Sequence, residues 1–154
     1  MEVKKGSQAP GIQLLNTELE NVVIPENGKN TVLLFFPMAY TSVCIDELCS
    51  VRDNLKNYED LNAAVYGISV DSPFTLKEFK GSQNLNFPLL SDFNKTASQA
   101  YGAFYEDFVL GLKGVSKRSA FVIDKDGVVQ YAEVLDDAGQ LPNFDAIQNA
   151  LKGL

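Results

Sequence analysis

Two cysteines, Cys44 and Cys49, are the residues of this chain best suited to nucleophilic chemistry. The chain contains no histidine, which excludes Ser-His and Cys-His nucleophile pairs, histidine general bases and mixed Cys/His zinc sites. Two thiols are too few for an all-thiolate zinc site, and the nearest further ligands in the sequence are Asp46 and Glu47. A reactive thiol here must therefore be activated by its position and by neighbouring donors or cations.

The position of Cys44 favours its ionised form. The apolar run 31–36 predicts a buried strand, and the apolar spacing over residues 42–58 predicts an amphipathic helix directly after it. Cys44 then lies in the first turn of that helix, with Thr41 or Ser42 as the N-cap. Unpaired N–H groups and the positive end of the helix dipole stabilise a thiolate at this place.

A helix terminus stabilises an anion by about 0.3 to 2 kcal/mol, which is too little to activate a thiol without help. We expect Arg118 to be the second contributor, because it lies at the start of the predicted strand 119–123. If that strand runs parallel to its neighbour, the sequence predicts that Arg118 lies near the turn of Cys44. Arg52 lies two turns along the same helix as Cys44 and is less well placed.

The order of the elements predicts an α/β fold in one domain, residues 1–154. A strand, helix, strand unit is followed by a hairpin and a final helix, which favours a mixed central β-sheet flanked by helices over a doubly wound parallel sheet. The interval 103–118 shows no clean period and is predicted to be a long apolar loop. The predicted strands are 11–15, 22–24, 31–36, 63–70, 87–90, 119–123 and 128–133, and the predicted helices are 42–58, 73–81, 96–101 and 143–152.

Charge and hydropathy exclude several classes of partner. The net charge is −7 and the basic residues are scattered among acidic ones, so nucleic acid is not expected as a partner. No apolar run approaches the length of a membrane span, and the first residues lack the apolar core of a secretory signal. We therefore expect a cytoplasmic protein that does not bind membranes.

The spacing Pro37-x-x-x-Thr41-x-x-Cys44 resembles the active-site signature of the peroxiredoxins, which are thiol-dependent peroxidases with a thioredoxin-like fold. Glu47 and Arg118 lie where that family carries a glutamate and an arginine. The resemblance extends over nearly the whole chain. The segments most similar to the alkyl hydroperoxide reductase E class are 36–48, 87–93, 98–102 and 121–133.

The resemblance implies a role for each residue of the signature. Cys44 would be the peroxidatic cysteine, which attacks the terminal oxygen of hydrogen peroxide or an organic hydroperoxide and becomes a sulfenic acid. Thr41 and Arg118 would hold the thiolate and polarise the O–O bond. Pro37 would shield the sulfur from water, and Glu47 would orient the arginine. The resemblance implies no metal and no cofactor.

Cys49 carries the second implied role, that of the resolving cysteine. In an intact helix, residues five apart have Cα atoms about 8.6 Å from each other, beyond the limit of about 7 Å for a disulfide, so a bond to Cys44 requires unwinding. The peroxiredoxin Q class, or bacterioferritin comigratory proteins, is similar in having a resolving cysteine at this spacing. Thioredoxin or a glutaredoxin-like reductant would then recycle the enzyme, which is expected to be a homodimer.

Other functions remain open from the residues themselves. A thioredoxin-like thiol-disulfide oxidoreductase usually separates its cysteines by two residues, whereas four residues lie between Cys44 and Cys49. If Cys49 is a mere helix residue, the chain is a one-cysteine peroxidase that uses an external thiol. If both thiols are inert, the chain is an interaction domain without catalysis.

Overall fold

The computed structural model describes residues 3–26 and 28–154. Strands and helices alternate along these residues largely as the sequence predicts. The elements are β1 (Ile12–Asn16), β2 (Asn21–Ile24), β3 (Asn30–Phe35), α1 (Ser42–Asp53), α2 (Leu55–Glu59), β4 (Ala63–Ser69), α3 (Pro73–Ser82), β5 (Leu89–Ser91), α4 (Thr96–Ala100), β6 (Phe104–Tyr105), β7 (Val115–Ser116), β8 (Ser119–Ile123), β9 (Val129–Val134) and α5 (Phe144–Lys152).

A seven-stranded mixed sheet forms the centre of the described part of the chain, in the order β2-β1-β5-β4-β3-β8-β9. β3 pairs in parallel with β4, and β4 pairs in parallel with β5, while β1, β2, β8 and β9 make antiparallel pairs. Side chains of β3 are buried on both faces of the sheet. This arrangement, a mixed sheet flanked by helices in a thioredoxin-like fold, confirms the predicted fold class.

Two apolar clusters cover the two faces of the sheet. On one face Val32, Leu34 and Phe36 pack with residues of α1, α2, α3 and α5, and Cys44 belongs to this cluster. On the other face Leu33 and Phe35 pack with α4 and with β1 and β2. Each buried aliphatic or aromatic side chain contributes about 1.5 to 3 kcal/mol of hydrophobic stabilisation, so α1 is held to the sheet mainly by its apolar side chains.

The predicted direction of β8 is wrong. β8 runs antiparallel to β3, with Thr31 opposite Ile123 and Phe35 opposite Ser119. An antiparallel strand begins where its neighbour ends, so the start of β8 lies beside the end of β3. Arg118 precedes β8 directly and thus lies near the first turn of α1. The cause is the antiparallel pairing of β8 with β3, and not the parallel pairing that was predicted.

The helix predicted over 42–58 is interrupted at Asn54. Its backbone leaves the helical region there, with φ −118° and ψ 16°. The Asn54 side-chain amide donates to the carbonyl of Ser50 at 2.8 Å, and its backbone N–H turns back to Val51 at 3.1 Å. Asparagine side chains compete for backbone groups in this way, and the chain restarts as the separate helix α2.

The interval 103–118 contains regular structure that the sequence did not predict. β6 and β7 form a short antiparallel ribbon, and a 3-10 turn at Val109–Gly111 lies between them. Leu110 at this turn is 94% exposed.

β5 begins at Leu89, two residues later than predicted, because Pro88 has no N–H to donate to a neighbouring strand. None of the helices in the described residues is both long and apolar enough to cross a membrane.

Candidate active site

Cys44 lies in the first turn of α1, as predicted, and its side chain is fully buried. Thr41 occupies the N-cap position with extended backbone angles, φ −82° and ψ 146°, and its carbonyl accepts the N–H of Ile45 at 2.9 Å. The first N–H groups of a helix have no partner within it. The sulfur of Cys44 is therefore held at the electropositive end of α1 and away from bulk water.

Arg118 joins three parts of the chain at this site. Its Nη2 donates to Cys44 Sγ at 3.2 Å, its Nη1 donates to Glu47 Oε2 at 2.6 Å, and its Nε donates to the Ala138 carbonyl at 2.9 Å. The guanidinium is 2% exposed and Glu47 is 0% exposed. All three contacts use the fixed fork of the guanidinium, so the position of each donor is set by the other two.

The charges of this cluster influence one another. Burial alone would lower the pKa of Arg118, but the neighbouring charges of Glu47 and Cys44 outweigh it and raise that pKa above its ordinary value. Burial raises the pKa of Glu47 to about 7, although Arg118 opposes the change, and the charge of Glu133 adds to the rise. Glu47 Oε1 has no hydrogen-bond partner in the described residues.

The loop between β3 and α1 carries the other two residues of the signature. Pro37 is buried at the end of β3, while Thr41 is exposed. Thr41 is the N-cap residue, as predicted, but its hydroxyl donates to the Met38 carbonyl at 3.0 Å and makes no capping bond to the helix. Tyr40 has φ 69°, a left-handed conformation that costs a residue other than glycine some strain.

Asp71 holds this loop in place, and the sequence analysis missed it. Its Oδ2 accepts the backbone N–H of Ala39 at 2.8 Å and the hydroxyl of Ser69 at 2.7 Å. Asp71 comes two residues after the end of β4, the parallel neighbour of β3. A polar residue at the carboxyl end of the strand beside the central strand is the sequence signal that could have predicted this contact.

Cys49 lies in the same unbroken helix as Cys44, and both cysteines are free thiols. Cys49 is partly buried, and its Sγ donates to Gln83 Oε1 at 3.8 Å. Arg52 donates to the Gln83 carbonyl at 2.6 Å and to Asp53 at 2.9 Å, so its charge lies toward α3. The expectation that Arg118 is better placed than Arg52 to contact Cys44 is confirmed.

No group of three or more potential metal-ligating side chains occurs in residues 3–26 and 28–154. The acidic turn that begins at Asp124 is closed by hydrogen bonds of its own. The carboxylate of Asp124 accepts the backbone N–H groups of Asp126 and Val128 at 2.9 and 3.0 Å. It therefore serves a hairpin turn, as the sequence predicts.

Comparison with known proteins gives consistent matches. The sequence pattern of the AhpC/TSA family matches residues 5–132. Alkyl hydroperoxide reductase E of Mycobacterium tuberculosis is 37% identical over 133 residues, which cover 84% of each chain. The crystal structure of peroxidoxin BcpB from the same organism has a TM-score of 0.87 and 26% identity, and covers 99% of both chains. The peroxiredoxin-like protein of Aquifex aeolicus has a TM-score of 0.90 and 28% identity, over 99% of this chain and 88% of that one.

The family match spans most of the chain, and the relative that is 37% identical covers most of its own length as well. Both solved structures have the same strand and helix arrangement over nearly the whole chain. The chain therefore belongs to the AhpC/TSA family, and it is a peroxiredoxin, an enzyme that reduces peroxides with a thiol.

Proposed function

We propose that Cys44 is the peroxidatic cysteine and that it reduces hydrogen peroxide and organic hydroperoxides. The observation that carries this proposal is the contact between Arg118 Nη2 and Cys44 Sγ at 3.2 Å. Glu47 and the Ala138 carbonyl hold the other donors of the guanidinium, so this donor remains directed at the sulfur. A fixed cation in a buried site stabilises both the thiolate and the charge that develops during its attack.

The reaction is a displacement at oxygen. The thiolate of Cys44 attacks the terminal oxygen of the hydroperoxide, an S–O bond forms and the O–O bond breaks. The electron pair of the O–O bond leaves with the second oxygen, which takes up a proton and departs as water or an alcohol. The sulfur loses two electrons and becomes a sulfenic acid, while the peroxide is reduced.

The other residues of the signature have supporting roles in the proposal. The Thr41 hydroxyl donates its hydrogen bond to the Met38 carbonyl, so its oxygen lone pairs are free to accept a hydrogen bond from the O–H of the incoming peroxide. Buried Pro37 keeps water from the sulfur, and it offers no N–H that would compete for the substrate. Glu47 orients Arg118 through the 2.6 Å bond.

We propose further that Cys49 resolves the sulfenic acid. The thiol of Cys49 attacks Cys44 Sγ, a disulfide forms and water leaves. Both residues lie in α1, so the first turns of this helix must unwind before the sulfurs can meet. A thioredoxin or a glutaredoxin-like protein then reduces the disulfide by thiol exchange. The proposed working form is a cytoplasmic homodimer of single-domain subunits.

The test is rapid mixing of the reduced protein with hydrogen peroxide, followed by whole-protein mass spectrometry. The wild type is expected to lose about two mass units and Cys49→Ser to gain about sixteen, both far faster than a free thiol reacts. An organic hydroperoxide, mixed in the same way, tests the breadth of the substrate class. If neither protein reacts quickly, Cys44 is not peroxidatic and a thiol-disulfide oxidoreductase becomes the better reading.

A one-cysteine peroxidase is the second candidate function. The observation in its favour is that α1 is continuous from Ser42 to Asp53 and keeps the two cysteines apart. In that case wild type and Cys49→Ser both gain about sixteen mass units and both need an external thiol for turnover.

A further inference from the structure

We propose that Cys44 and Glu47 share a single proton, which Glu47 holds while Cys44 is a thiolate. The inference rests on the proposed function, because it takes Cys44 as the reacting thiol. It concerns the charge balance of the buried triad, which is the cluster formed by Arg118, Cys44 and Glu47.

One cation in the buried triad faces two acids. Arg118 donates to both of them, and all three side chains are at most 2% exposed. In a medium of low dielectric constant a cation and one anion balance, whereas a second unpaired anion carries a large desolvation cost. The charge count alone therefore favours a state with one proton left on the two acids.

The hydrogen bonds identify Glu47 as the acid that can take this proton. Its Oε2 accepts from Arg118, whereas its Oε1 is buried and has no donor in the part of the chain that the structure describes. A carboxylate oxygen without a donor is costly to bury. A proton on Oε1 removes that charge and leaves Oε2 as a carbonyl oxygen that still accepts from Arg118.

Charged groups from three parts of the chain face Glu47. Arg118 before β8 favours the carboxylate, and Glu133 in β9 favours the neutral acid. A thiolate at Cys44 in α1, which contacts the same guanidinium, also favours the neutral acid by like-charge repulsion. Burial is the largest cause, and with Glu133 it raises the pKa of Glu47 to about 7 against the effect of Arg118. Glu133 itself accepts the N–H of Asn143 at 2.9 Å and the hydroxyl of Tyr131 at 3.2 Å.

The shared proton keeps the buried triad neutral through the reaction. Before attack, Arg118 is balanced by the thiolate, and Glu47 is a neutral acid. When the thiolate forms its bond to oxygen, the sulfur becomes uncharged and the leaving oxygen takes a proton. In the net step Glu47 gives up one proton and the leaving oxygen takes up one. The carboxylate of Glu47 then balances the charge of Arg118. No net charge is added to the buried site at any stage.

Infrared difference spectroscopy tests where the proton lies. The Cys49→Ser protein leaves Cys44 as the sole thiol, which is alkylated with iodoacetamide at about pH 8, one unit above the pKa of about 7 of Glu47. The carbonyl stretch of a protonated carboxylic acid is expected before alkylation and is expected to disappear afterwards, because the thioether is uncharged. If the reduced protein shows no such band that alkylation removes, the inference is overturned.

Proton release on alkylation gives a second readout. Cys49→Ser is expected to release one proton per chain, since Glu47 must ionise when the sulfur loses its charge. The variant with Glu47→Gln in the same background has a neutral amide in this place and is expected to release none. If Cys49→Ser releases no proton, both Cys44 and Glu47 were ionised before alkylation. If the double variant, Cys49→Ser with Glu47→Gln, releases one proton, that proton was on the sulfur of Cys44. Either result overturns the inference.

Glu133→Gln is a matched variant outside the buried triad. It removes a negative charge but keeps an oxygen that can accept from Asn143 and Tyr131. The carboxylic acid band is expected to vanish at a lower pH than in the parent protein, and an unchanged midpoint of this pH titration overturns the assigned effect of Glu133.

The infrared and proton measurements on Cys49→Ser stand even if Glu47→Gln does not fold. They need no peroxide, so a failure of the proposed peroxidase chemistry is seen separately in the mixing experiment.

Discussion

Arg118→Met removes the guanidinium of the active site and keeps a long side chain that can fill much of its space. Three contacts are lost together, to Cys44 Sγ at 3.2 Å, Glu47 Oε2 at 2.6 Å and the Ala138 carbonyl at 2.9 Å. The first of these contacts acts on the sulfur that we propose to react. The other two fix the guanidinium, so the variant tests the chemistry and the charge balance of the site at once.

The rate of Cys44 oxidation is expected to fall by about two to three orders of magnitude. Loss of one fixed donor to a developing charge costs about 2.7 to 4 kcal/mol in known active sites. Arg118 is almost fully buried, so water cannot replace its donor with the same geometry.

The effect on stability is expected to be smaller than is usual for such a change. Removing one partner of a buried ion pair commonly costs about 3 to 5 kcal/mol. Glu47 avoids this cost as a neutral acid, because its pKa is already raised to about 7 by burial. Little further free energy is needed to keep Glu47 neutral near neutral pH. The expected loss in the free energy of unfolding is therefore below about 2 kcal/mol.

The assay combines rapid mixing with peroxide and urea unfolding at neutral pH. Lys117→Met is the matched control, because it removes the adjacent cation, whose ammonium bonds Asp136 at 3.3 Å on the surface. The control is expected to keep an oxidation rate within about twofold of the wild type. A fall of less than about tenfold in Arg118→Met refutes the role given to Nη2. A full loss of about 3 to 5 kcal/mol contradicts a neutral Glu47 in the variant.

Glu47, Asp71 and Arg52 carry three further predictions. The native protein binds a proton at Glu47 between pH 4.5 and about 7 that the unfolded chain does not, so the free energy of unfolding should fall by up to about 3 kcal/mol as pH rises through this window. Urea unfolding at several pH values should show this fall in the wild type and not in Glu47→Gln. Asp71→Ala removes the acceptor of the Ala39 N–H and should slow Cys44 oxidation about tenfold in rapid mixing. Arg52→Met loses the bond to the Gln83 carbonyl and should speed disulfide formation about tenfold in quenched-flow mass spectrometry, because α1 unwinds more easily.

The Asp71 and Arg52 variants each have a matched control in the chain. Asp124→Ala removes a carboxylate that accepts two backbone N–H groups in the hairpin turn between β8 and β9, and it should leave the oxidation rate unchanged. Asp53→Ala removes the exposed partner of Arg52 and should change disulfide formation by less than about twofold. Equal rates in the two aspartate variants contradict the role of Asp71. Disulfide formation that is no faster in Arg52→Met contradicts the restraint assigned to that contact, and a flat pH dependence of stability contradicts the raised pKa of Glu47.

Local patterns in the sequence were enough to predict the main parts of the fold and the site. The unbroken apolar run before Pro37 indicated a strand buried on both faces, and β3 has that burial. Polar residues followed by regular apolar spacing indicated the start of a helix, so Cys44 was expected in its first turn, where it lies. These signals depend on hydrophobic periodicity and on capping residues, which act over a few positions.

The features that were missed depend on partners far apart in the chain or on competition for one backbone group. The direction of β8 is fixed by pairing across the sheet, and Ala39 finds its acceptor in Asp71, 32 residues away. The break at Asn54 depends on a side-chain amide that bonds the backbone in place of the next helical turn. Periodicity contains no information on which of two hydrogen-bonding choices the chain adopts.

The break at Asn54 also has a consequence for the timing of the proposed disulfide step. It leaves α1 as a helix of 12 residues, and unwinding that begins at the cysteines can stop before α2. Helix–coil relaxation of a peptide of about 20 residues takes about 0.1 to 1 μs, whereas enzymes commonly turn over about ten times per second. Even if tertiary packing slows the opening a thousandfold, we expect it to be faster than turnover. The pace of the cycle would then be set by the arrival of peroxide and reductant.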